Sequence, residues 1–444
     1  MNTLQQLQHG ELAGSRRVKL ACGLQDFPVD LFKLAETLEI LDLSGNHFSS
    51  LPDDLPRLHR LRIIFCSDNR FTTLPPILGQ CPQLEMIGFK ANQIRHVPAA
   101  ALPPNLRWLI LTDNRIEELP HELGRCSKLQ KLMLAGNRLR ALPASLADCS
   151  RLELLRIAAN QLEELPDWLL KLPRLSWLAF AGNPFCPPPE LPQDNADIHW
   201  HALEIQQTLG EGASGVIHQA EYRTAKGRQS VAVKVFKGAV TSDGLPLNEM
   251  AACLKAGPPP HLIPILGRIT EHPEDIHALA MTLVDPRFSN LAGPPSLDSC
   301  TRDVYPPETC FSLTTVIQVA LSIASAAEHL HDQGILHGDL YGHNILHCGQ
   351  GQALLGDFGA ASFVDRSNLS QASQLQKIEV RAFACLLEEL LAHSPPTTLH
   401  QARRKILIEL EAACMQENIA ARPPFAHIVR TLQAMQDQPQ HGDN

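Results

Sequence analysis

Several features that would assign a chain of 444 residues to a particular class are scarce in this sequence. Aromatic residues make up only 5% of it, and 47 Asp and Glu residues outnumber 38 Lys and Arg residues. Because no basic stripe is present, we expect no nucleic-acid partner. The first 20 residues lack the apolar run of a signal peptide, and no stretch reaches the roughly 18 apolar residues of a membrane span. We therefore expect a cytoplasmic location and no membrane span, although secretion without such a signal would leave no trace here.

The 12 cysteines are not placed like a disulfide framework. Cys81, Cys126 and Cys149 each stand three residues before a Leu that opens a sequence repeat, so all three occupy one equivalent position. Cysteines of this kind are typical small buried hydrophobes. We expect them to be reduced thiols.

The first half of the chain is a repeat array. From Leu38 onward the pattern LxxLxLxxNxLxxLPxxLxxLxx recurs, with its Asn at positions 46, 69, 92, 114, 137, 160 and 183. This period of 22 or 23 residues resembles that of leucine-rich repeat proteins, in which each unit buries its apolar face against its neighbours. The resemblance implies an α/β solenoid, or horseshoe, over residues 1–190, with an atypical N-terminal cap at 15–37 and repeats from 38.

The outward positions of the expected concave sheet are unusually apolar. Nine of the 14 are large and apolar: Ile40, Ile63, Phe65, Met86, Trp108, Ile110, Met133, Leu154 and Trp177. Because large exposed apolar patches mark contact sites, we predict that this face binds a protein substrate or regulator, or docks on the second half of the chain. The alternative is that the assumed facing is wrong by one residue, or that a flanking segment covers the face.

A segment with five prolines, 184–200, separates the two halves and is predicted to be a semi-rigid spacer. Beyond it we expect a second domain at 201–436 and a disordered tail at 437–444.

The second half begins with glycines in a G-x-G-x-x-G pattern, at positions 210, 212 and 215. Two alternating strand patterns follow them, which places the glycines at the tip of a β-hairpin, where backbone amides can approach phosphate oxygens. Lys234 lies in the second of these strands, and Glu249 in a helix-like segment is its natural partner. Farther on, Asp339, Asn344 and Asp357 supply the carboxylates and the amide that a phosphoryl-transfer site requires.

The order and spacing of these motifs resemble those of the eukaryotic-type protein kinase family over about residues 203–435. The resemblance implies a bilobal α+β domain that uses ATP and Mg²⁺. It also implies that Asp339 orients the acceptor hydroxyl and that Lys234, held by Glu249, contacts the α- and β-phosphates. Asn344 and Asp357 would then hold the metal ions.

The same resemblance implies the remaining nucleotide contacts. The phosphates would be covered by the glycine loop, which comprises Gly210, Gly212, Ala213, Ser214 and Gly215. The adenine would lie between Val216 and Ala232 above and Leu346 below. Met281 would be the gatekeeper, and backbone groups of Thr282 and Val284 would bond the base.

Some positions depart from the family pattern. Gly338 stands where many of these kinases carry Arg, and Tyr341 replaces both the Lys and the Ala that are usual there. Glu379 replaces the usual Asp, and no A-P-E follows Asp357, so the platform that docks a peptide is shortened or missing. We expect an ATP-dependent protein kinase acting on Ser or Thr. The alternatives are a pseudokinase scaffold and a small-molecule kinase with appended recognition repeats.

Overall fold

The structure is a computed structural model that describes residues 2–186, 197–212, 214–238, 240–241, 243–396 and 401–436. The chain forms two compact units. The first comprises Met1–Arg174 with Asn183–Phe185, and the second comprises Leu175–Gly182 with Cys186–Asn444. The expected tail at 437–444, most of the expected spacer and Ala213 lie outside the described residues.

The first unit begins with a short helix, α1 (Leu4–Gln8), which Thr3 caps through its side chain. Seven parallel strands of three residues follow, each paired with the next: β1 (Arg17–Lys19), β2 (Ile40–Asp42), β3 (Ile63–Phe65), β4 (Met86–Gly88), β5 (Trp108–Ile110), β6 (Lys131–Met133) and β7 (Leu154–Arg156). Short 3₁₀ helices connect them, at Val29–Leu34, Leu55–Arg57, Pro76–Gln80, Ala99–Ala101, His121–Arg125, Ala144–Asp148 and Leu169–Lys171. The strands lie side by side because equivalent positions of successive repeats are in register.

The repeat asparagines form a ladder of buried hydrogen bonds. The Oδ1 of Asn137, for example, accepts from the backbone N of Ile116, one repeat earlier, at 3.0 Å. Its Nδ2 donates to the carbonyls of Leu111 and Leu134. All seven repeat asparagines, from Asn46 to Asn183, are buried and accept from the preceding repeat in the same way. Each amide therefore satisfies backbone groups that the tight turn would otherwise leave unpaired.

The apolar outward positions are less exposed than the sequence suggests. Four of the nine predicted partner residues are buried, namely Ile63, Met86, Leu154 and Trp177, and the other five are half-buried. The facing assigned from the sequence agrees with the strands, but large side chains in neighbouring strands cover each other. A Cβ at Gly88 would lie 2.5 Å from the Phe65 ring, and the Nε1 of Trp108 donates to the Sδ of Met133 at 3.3 Å. Four of the nine are therefore not exposed, and the role of this face as a partner or docking surface stays a prediction.

The 12 cysteines are free thiols, as expected. Cys81, Cys126 and Cys149 are buried at equivalent positions of three repeats. Burial raises the pKa of the Cys81 and Cys126 thiols to about 11, so both stay protonated near neutral pH. These residues act as small core side chains.

The upper part of the second unit is a mixed six-stranded sheet. The strand β8 (Trp177–Ala179) precedes it in the chain and lies in the same unit. The sheet itself has the order β10-β11-β12-β14-β13-β9, with β9 (Asp197–His199), β10 (Leu203–Glu211), β11 (Gly215–Thr224), β12 (Gly227–Phe236), β13 (Ile265–Thr270) and β14 (Ala278–Thr282). One helix, α2 (Pro246–Ala256), connects β12 to β13. The alternating apolar residues of one sheet face, including Val231, Val233 and Ala280, form a core with Ile198 and Leu203.

The lower part is mainly helical. Its helices are α3 (Leu313–Asp332), α4 (Leu369–Ala392), α5 (Gln401–Cys414) and α6 (Phe425–Gln436). Its short strands are β15 (Ser289–Asn290), β16 (Ile335–Leu336), β17 (Ile345–His347), β18 (Ala353–Leu355) and β19 (Ser362–Phe363). They form one sheet of order β15-β17-β18 and a second of β16 with β19. Short apolar runs in the sequence predict strands at 345–346 and 353–355, and the structure confirms both.

The central helix of this part, α3, is buried on the face that the sequence periodicity indicates. Val316, Ala320, Ile323, Ala327 and Leu330 all lie in the core. Helix α3 is long and apolar enough to span a membrane by those two criteria alone, but 61% of its most apolar window is buried inside the protein. The helix ends before Gly334, whose φ of +71° reverses the chain toward the next strand.

Candidate active site

One face of the upper sheet carries the predicted ammonium group. Lys234 pairs with Ile217 in β11 and with Leu279 in β14, while Ala232 pairs with Met281. Directly opposed residues of an antiparallel pair point to the same side of the sheet. The side chains of these five residues therefore project from a single face, toward α2.

The glycine segment closes this face at one end. The strands β10 and β11 form an antiparallel hairpin, and the N–H of Gly212 donates to the carbonyl of Gly215 at 2.9 Å across its tip. A Cβ at Gly212 would meet no atom within 4 Å, so the space beside this residue is open. The predicted antiparallel pairing of the two strands is confirmed.

Lys234 forms a buried ion pair with Glu249. Glu249 lies in the first turn of α2, which begins with Pro246, and the ammonium donates to its Oε1. Burial alone would lower the pKa of Lys234, but Glu249 and Asp357 hold that pKa above its ordinary value. Burial also raises the pKa of Glu249, so the ammonium is what favours its ionised form. One cation thus faces two carboxyl groups.

The loop between β16 and β17 fixes the carboxylate of Asp339. The Nδ2 of Asn344 donates to the Oδ2 of Asp339 at 2.8 Å and to its carbonyl at 2.9 Å. His337 contacts the carbonyl of Gly356 through Nε2 at 2.8 Å, and its ring lies 5.2 Å from that of Phe358. The loop is therefore tied to the segment that carries Asp357.

The buried carboxylate of Glu379 supports the loop that carries Asp339. The Oε1 of Glu379, in α4, accepts from the backbone N of Gly338 at 2.7 Å, and its Oε2 lies 2.7 Å from Nε2 of His331 in α3. Burial alone would raise the pKa of Glu379, but the bonds from His331 and Gly338 hold it below its ordinary value. Glu379 therefore links α3, α4 and the loop, as its place in the sequence suggested.

Asp357 follows β18 with a left-handed backbone, at φ +52°. Its Oδ1 accepts from the backbone N of Gly359 at 3.1 Å. Since Asn344 uses its amide nitrogen on Asp339, its Oδ1 is left for another ligand. Oxygen atoms of this kind are the donors that Mg²⁺ prefers. Within the described ranges no cluster of three or more His, Cys, Asp or Glu could hold a metal ion, so a bound ion would also need phosphate oxygens.

A cavity lies between the sheet face, α2 and Asp357. Seven predicted site residues line it: Gly212, Ser214, Gly215, Lys234, Glu249, Met281 and Asp357. Eight others lie outside its lining: Gly210, Val216, Ala232, Thr282, Val284, Asp339, Asn344 and Leu346. The adenine contacts assigned to Thr282, Val284 and Leu346 stay predictions.

Val216 is in the wrong place for its predicted role above the adenine. It pairs with Val235 in β12, so it points away from Lys234 toward the opposite face of the sheet. Ile217 pairs with Lys234 and lines the cavity. The prediction was wrong by one residue because strand neighbours point to opposite faces, and the residue two positions after Gly215 shares its side.

Further cavity residues were not expected from the sequence: Ile217, Asp243, Cys253, Ile263, Ile265, Leu279, Gly356 and Gly359. Regular spacing could have found some of them. Cys253 lies one helical turn after Glu249, and Leu279 lies two strand positions before Met281. Ile263 and Asp243 lie in connections, where no periodic signal points to them.

Known proteins are similar to this chain in two separate parts. A family model described as protein tyrosine and serine/threonine kinase matches residues 203–394. Models described as leucine rich repeat match 37–58, 104–162 and 127–185. The chain joins leucine-rich repeats to a protein kinase domain.

Individual relatives are distant. The serine/threonine/tyrosine-protein kinase HT1 of Arabidopsis thaliana is 24% identical over 159 residues, covering 28% of this chain and 40% of its own. The serine/threonine-protein kinase PknH of Mycobacterium tuberculosis is 26% identical over 215 residues, covering 43% and 32%. A solved leucine-rich repeat protein of Leptospira interrogans has a TM-score of 0.37 and 28% identity, covering 40% of this chain and 46% of its own. The chain spans less than half the length of these curated relatives.

The kinase domain has a short segment after Asp357. The strand β19 pairs with β16 soon after Gly359, and α4 begins at Leu369. Buried Arg422 donates to the carbonyls of Gln416 and Lys377. Burial and nearby Arg381 lower the pKa of Arg422 to about 10.

The five prolines of residues 286–310, the insert between β14 and α3, predict a surface loop, but this insert is anchored in the fold. Asp303 is buried, and its two oxygens accept from the backbone N of His343 at 3.0 Å and contact the His343 ring at 2.7 Å. Glu389 in α4 accepts from the backbone N of Asp303 and from the hydroxyl of Tyr305. The insert therefore joins α4 to the loop that carries Asp339. Its sequence, with five prolines, gave no sign of this anchoring.

Proposed function

We propose that this chain is an ATP-dependent protein kinase that transfers the γ-phosphoryl group to a serine or threonine hydroxyl. The observation that carries the proposal is the convergence on one cleft of Lys234, paired with Glu249, and Asp357. Beside it lies Asp339, held by Asn344. Phosphoryl transfer depends on positioning and charge stabilisation, and these groups supply both.

Each residue has a defined part in the reaction. The ammonium of Lys234 binds the α- and β-phosphate oxygens, and Glu249 holds it in place. The carboxylate of Asp339 orients the acceptor hydroxyl and accepts its proton, while the amide of Asn344 keeps that carboxylate fixed. Asp357 and the Oδ1 of Asn344 are the residues that would hold Mg²⁺, which neutralises the charge on the transferred group when bound.

The nucleotide also needs a base-binding surface. Ile217 and Ala232 on the sheet face are proposed to cover the adenine, with Leu346 below it. Met281, which lines the cavity, is proposed as the gatekeeper at its inner end. Of the two kinases named above, one is described as a serine/threonine-protein kinase and the other as a serine/threonine/tyrosine-protein kinase, which supports a serine or threonine acceptor without excluding tyrosine.

The repeats are proposed to recruit a protein partner. The half-buried apolar side chains of β2, β3, β5 and β6, such as Phe65 and Trp108, are proposed to form the surface that an incoming protein covers. Aromatic residues of this kind are typical interface anchors. Replacing Trp108 with Asp should abolish partner phosphorylation and leave self-phosphorylation unchanged. Unchanged partner phosphorylation would reject this role.

The test of activity is transfer from labelled ATP. Full-length wild type should incorporate label into itself or an added protein, and Asp339→Ala should not, while both bind nucleotide equally. Asp332→Ala is the matched control, because Asp332 is an exposed aspartate at the end of α3. Equal incorporation by wild type and Asp339→Ala would reject the assignment.

A second candidate is favoured by one observation, the short segment between Asp357 and α4. This segment leaves little chain to dock a peptide, which suits a nucleotide-binding scaffold or a small-molecule acceptor. Nucleotide binding without turnover on any protein would indicate the scaffold. Phosphorylation of a metabolite but of no protein would indicate the small-molecule kinase.

A further inference from the structure

The strand β8 is part of the kinase unit, although it continues the repeat sequence. Residues 175–182 lie in that unit, and Trp177, Leu178 and Phe180 contact the segments around the catalytic aspartate. The family model for kinases begins only at residue 203, after this strand. The strand β8 thus lies outside the part of the chain that the kinase family model matches.

The catalytic loop passes very close to β8. Gly338 has φ +74°, and a Cβ there would lie 2.6 Å from the carbonyl oxygen of Ala360 and 2.8 Å from that of Leu178. Real Cβ atoms do not approach so closely, so the backbone of Leu178 occupies the space that a side chain at 338 would need. This contact explains why position 338 lacks the arginine common in the family.

Trp177 contacts the two residues that directly follow Asp339. Its Nε1 donates to the carbonyl of Leu340 at 3.0 Å, and its ring stacks on that of Tyr341 with centroids 4.1 Å apart and planes 6° apart. Trp177 is 1% exposed, and the guanidinium of Arg302 lies 5.6 Å from its ring. An indole fixed by a hydrogen bond, a stacked ring and a cation has little freedom to move.

Residues that follow β8 contact the segment after Asp357. The N–H of Phe180 donates to the Oγ of Ser362 at 3.0 Å, and the thiol of Cys186 contacts the carbonyl of Phe363 at 3.4 Å. Ser362 and Phe363 form β19, which pairs with β16 just before the catalytic loop. The strand β8 and the residues that follow it therefore contact both the catalytic loop and β19.

We propose that Trp177, supplied by the last repeat strand, is a positioning residue for the catalytic loop. Residues 175–182 take over the support that a longer segment after Asp357 would give. The inference rests on the proposed kinase function. Asp339 is then held by Asn344 through its side chain and by Trp177 through Leu340 and Tyr341. A shift of about 1 Å at such a group can cost about a hundredfold in rate.

Full-length variants test this proposal, with a matched control in the repeats. Trp177→Phe keeps an aromatic ring against Tyr341 but loses the donor to Leu340, and Trp177→Ala loses both. The controls are Trp168→Phe and Trp168→Ala. Trp168 is a half-buried tryptophan of the last repeat, just before the 3₁₀ helix Leu169–Lys171, and it lies outside both the cleft lining and the proposed partner surface. Each variant is assayed for phosphoryl transfer, for nucleotide binding, and for hydrogen exchange of peptides covering 335–345.

The expected result is a graded loss confined to the Trp177 variants. Trp177→Phe should lower kcat about fivefold, the factor that corresponds to one neutral hydrogen bond. Trp177→Ala should lower it about a hundredfold. The KM for ATP should change little, because the cleft around Lys234 does not contact Trp177. Exchange at 335–345 should accelerate in the same order, and the Trp168 variants should match wild type.

Two outcomes separate the inference from the proposed function. The positioning role would be overturned if Trp177→Phe has the kcat and the exchange rates of wild type and Trp177→Ala either does the same or fails to fold. If wild type itself shows no turnover, the proposed function fails, and exchange at 335–345 alone then decides whether Trp177 positions the loop. Equal acceleration in the Trp168 variants would also overturn the proposal, since the effect would then be general to the repeats.

Discussion

Replacing Gly338 with Ala should destabilise the kinase unit by more than the backbone effect of glycine loss. An alanine at φ +74° costs about 1–2 kcal/mol through its left-handed backbone. The new Cβ would also meet the carbonyl oxygens of Ala360 and Leu178 at 2.6 and 2.8 Å. Overpacking of a tight site adds about 1–3 kcal/mol. The total expected loss is about 2–5 kcal/mol of unfolding free energy.

The chain offers a matched control for this substitution. Gly349 has nearly the same backbone, φ +76°, but a Cβ there would meet nothing within 4 Å. Gly349→Ala should therefore show the backbone cost alone. Urea titration of both full-length variants, followed by hydrogen exchange in peptides from 203–436, measures the two losses. A loss in Gly338→Ala no larger than that in Gly349→Ala would refute the close packing of the loop.

Three further predictions follow from the ion pair, the insert and the repeats. Glu249→Gln keeps the side-chain shape but removes the charge that holds Lys234, so phosphoryl transfer should fall about a hundredfold in the labelled-ATP assay. Burial and nearby Asp303 raise the pKa of Glu389 to about 8 in the folded state. Between about pH 4.5 and 8, the folded protein therefore keeps a proton on Glu389 that the unfolded chain has lost. Stability should therefore fall as pH rises from about 4.5 to 8, and Glu389→Gln should flatten that decline in thermal unfolding. Asn137→Ala removes three bonds to buried backbone groups and should cost about 3 kcal/mol or more in urea unfolding of the repeats.

Each of these predictions has an outcome that contradicts it. Wild-type transfer by Glu249→Gln would show that the pair does not position the ammonium. An unchanged pH slope in Glu389→Gln would mean that this carboxyl is ionised when folded. Asn105→Ala is the control for the ladder, because Asn105 bonds Pro82 and Lys128 at the surface, and an equal loss there would contradict the buried role of Asn137.

Local sequence patterns were enough to predict the elements whose geometry depends on spacing. The repeat period placed the asparagines of the ladder, from Asn46 to Asn183, because each amide bonds groups one repeat away. The order of the kinase motifs predicted the Lys234–Glu249 pair. Both predictions rely on contacts that the backbone periodicity fixes directly.

The sequence-based predictions fail or are silent where a residue contacts a partner that is distant in the chain, or where a shift of one position decides which face of the sheet a side chain occupies. Val216 and Ile217 are both apolar strand residues, and only the pairing of Ile217 with Lys234 shows which one faces the cleft. Trp177 lies on the face predicted to bind a partner or to dock on the second half of the chain, but nothing in the repeat pattern indicates that it stacks on Tyr341, 164 positions later. Asp303 lies in a proline-rich insert, and its bond to His343 depends on the complete fold.

The central claim is that the side chains gathered around Lys234 and Asp339 transfer phosphate. Its most direct test is mass spectrometry of the full-length chain after incubation with Mg-ATP, comparing wild type with Asp339→Asn. We predict phosphate on serine or threonine residues of wild type and none on the variant. Phosphate on both proteins at the same sites, or on neither protein and on no added substrate, would contradict the claim.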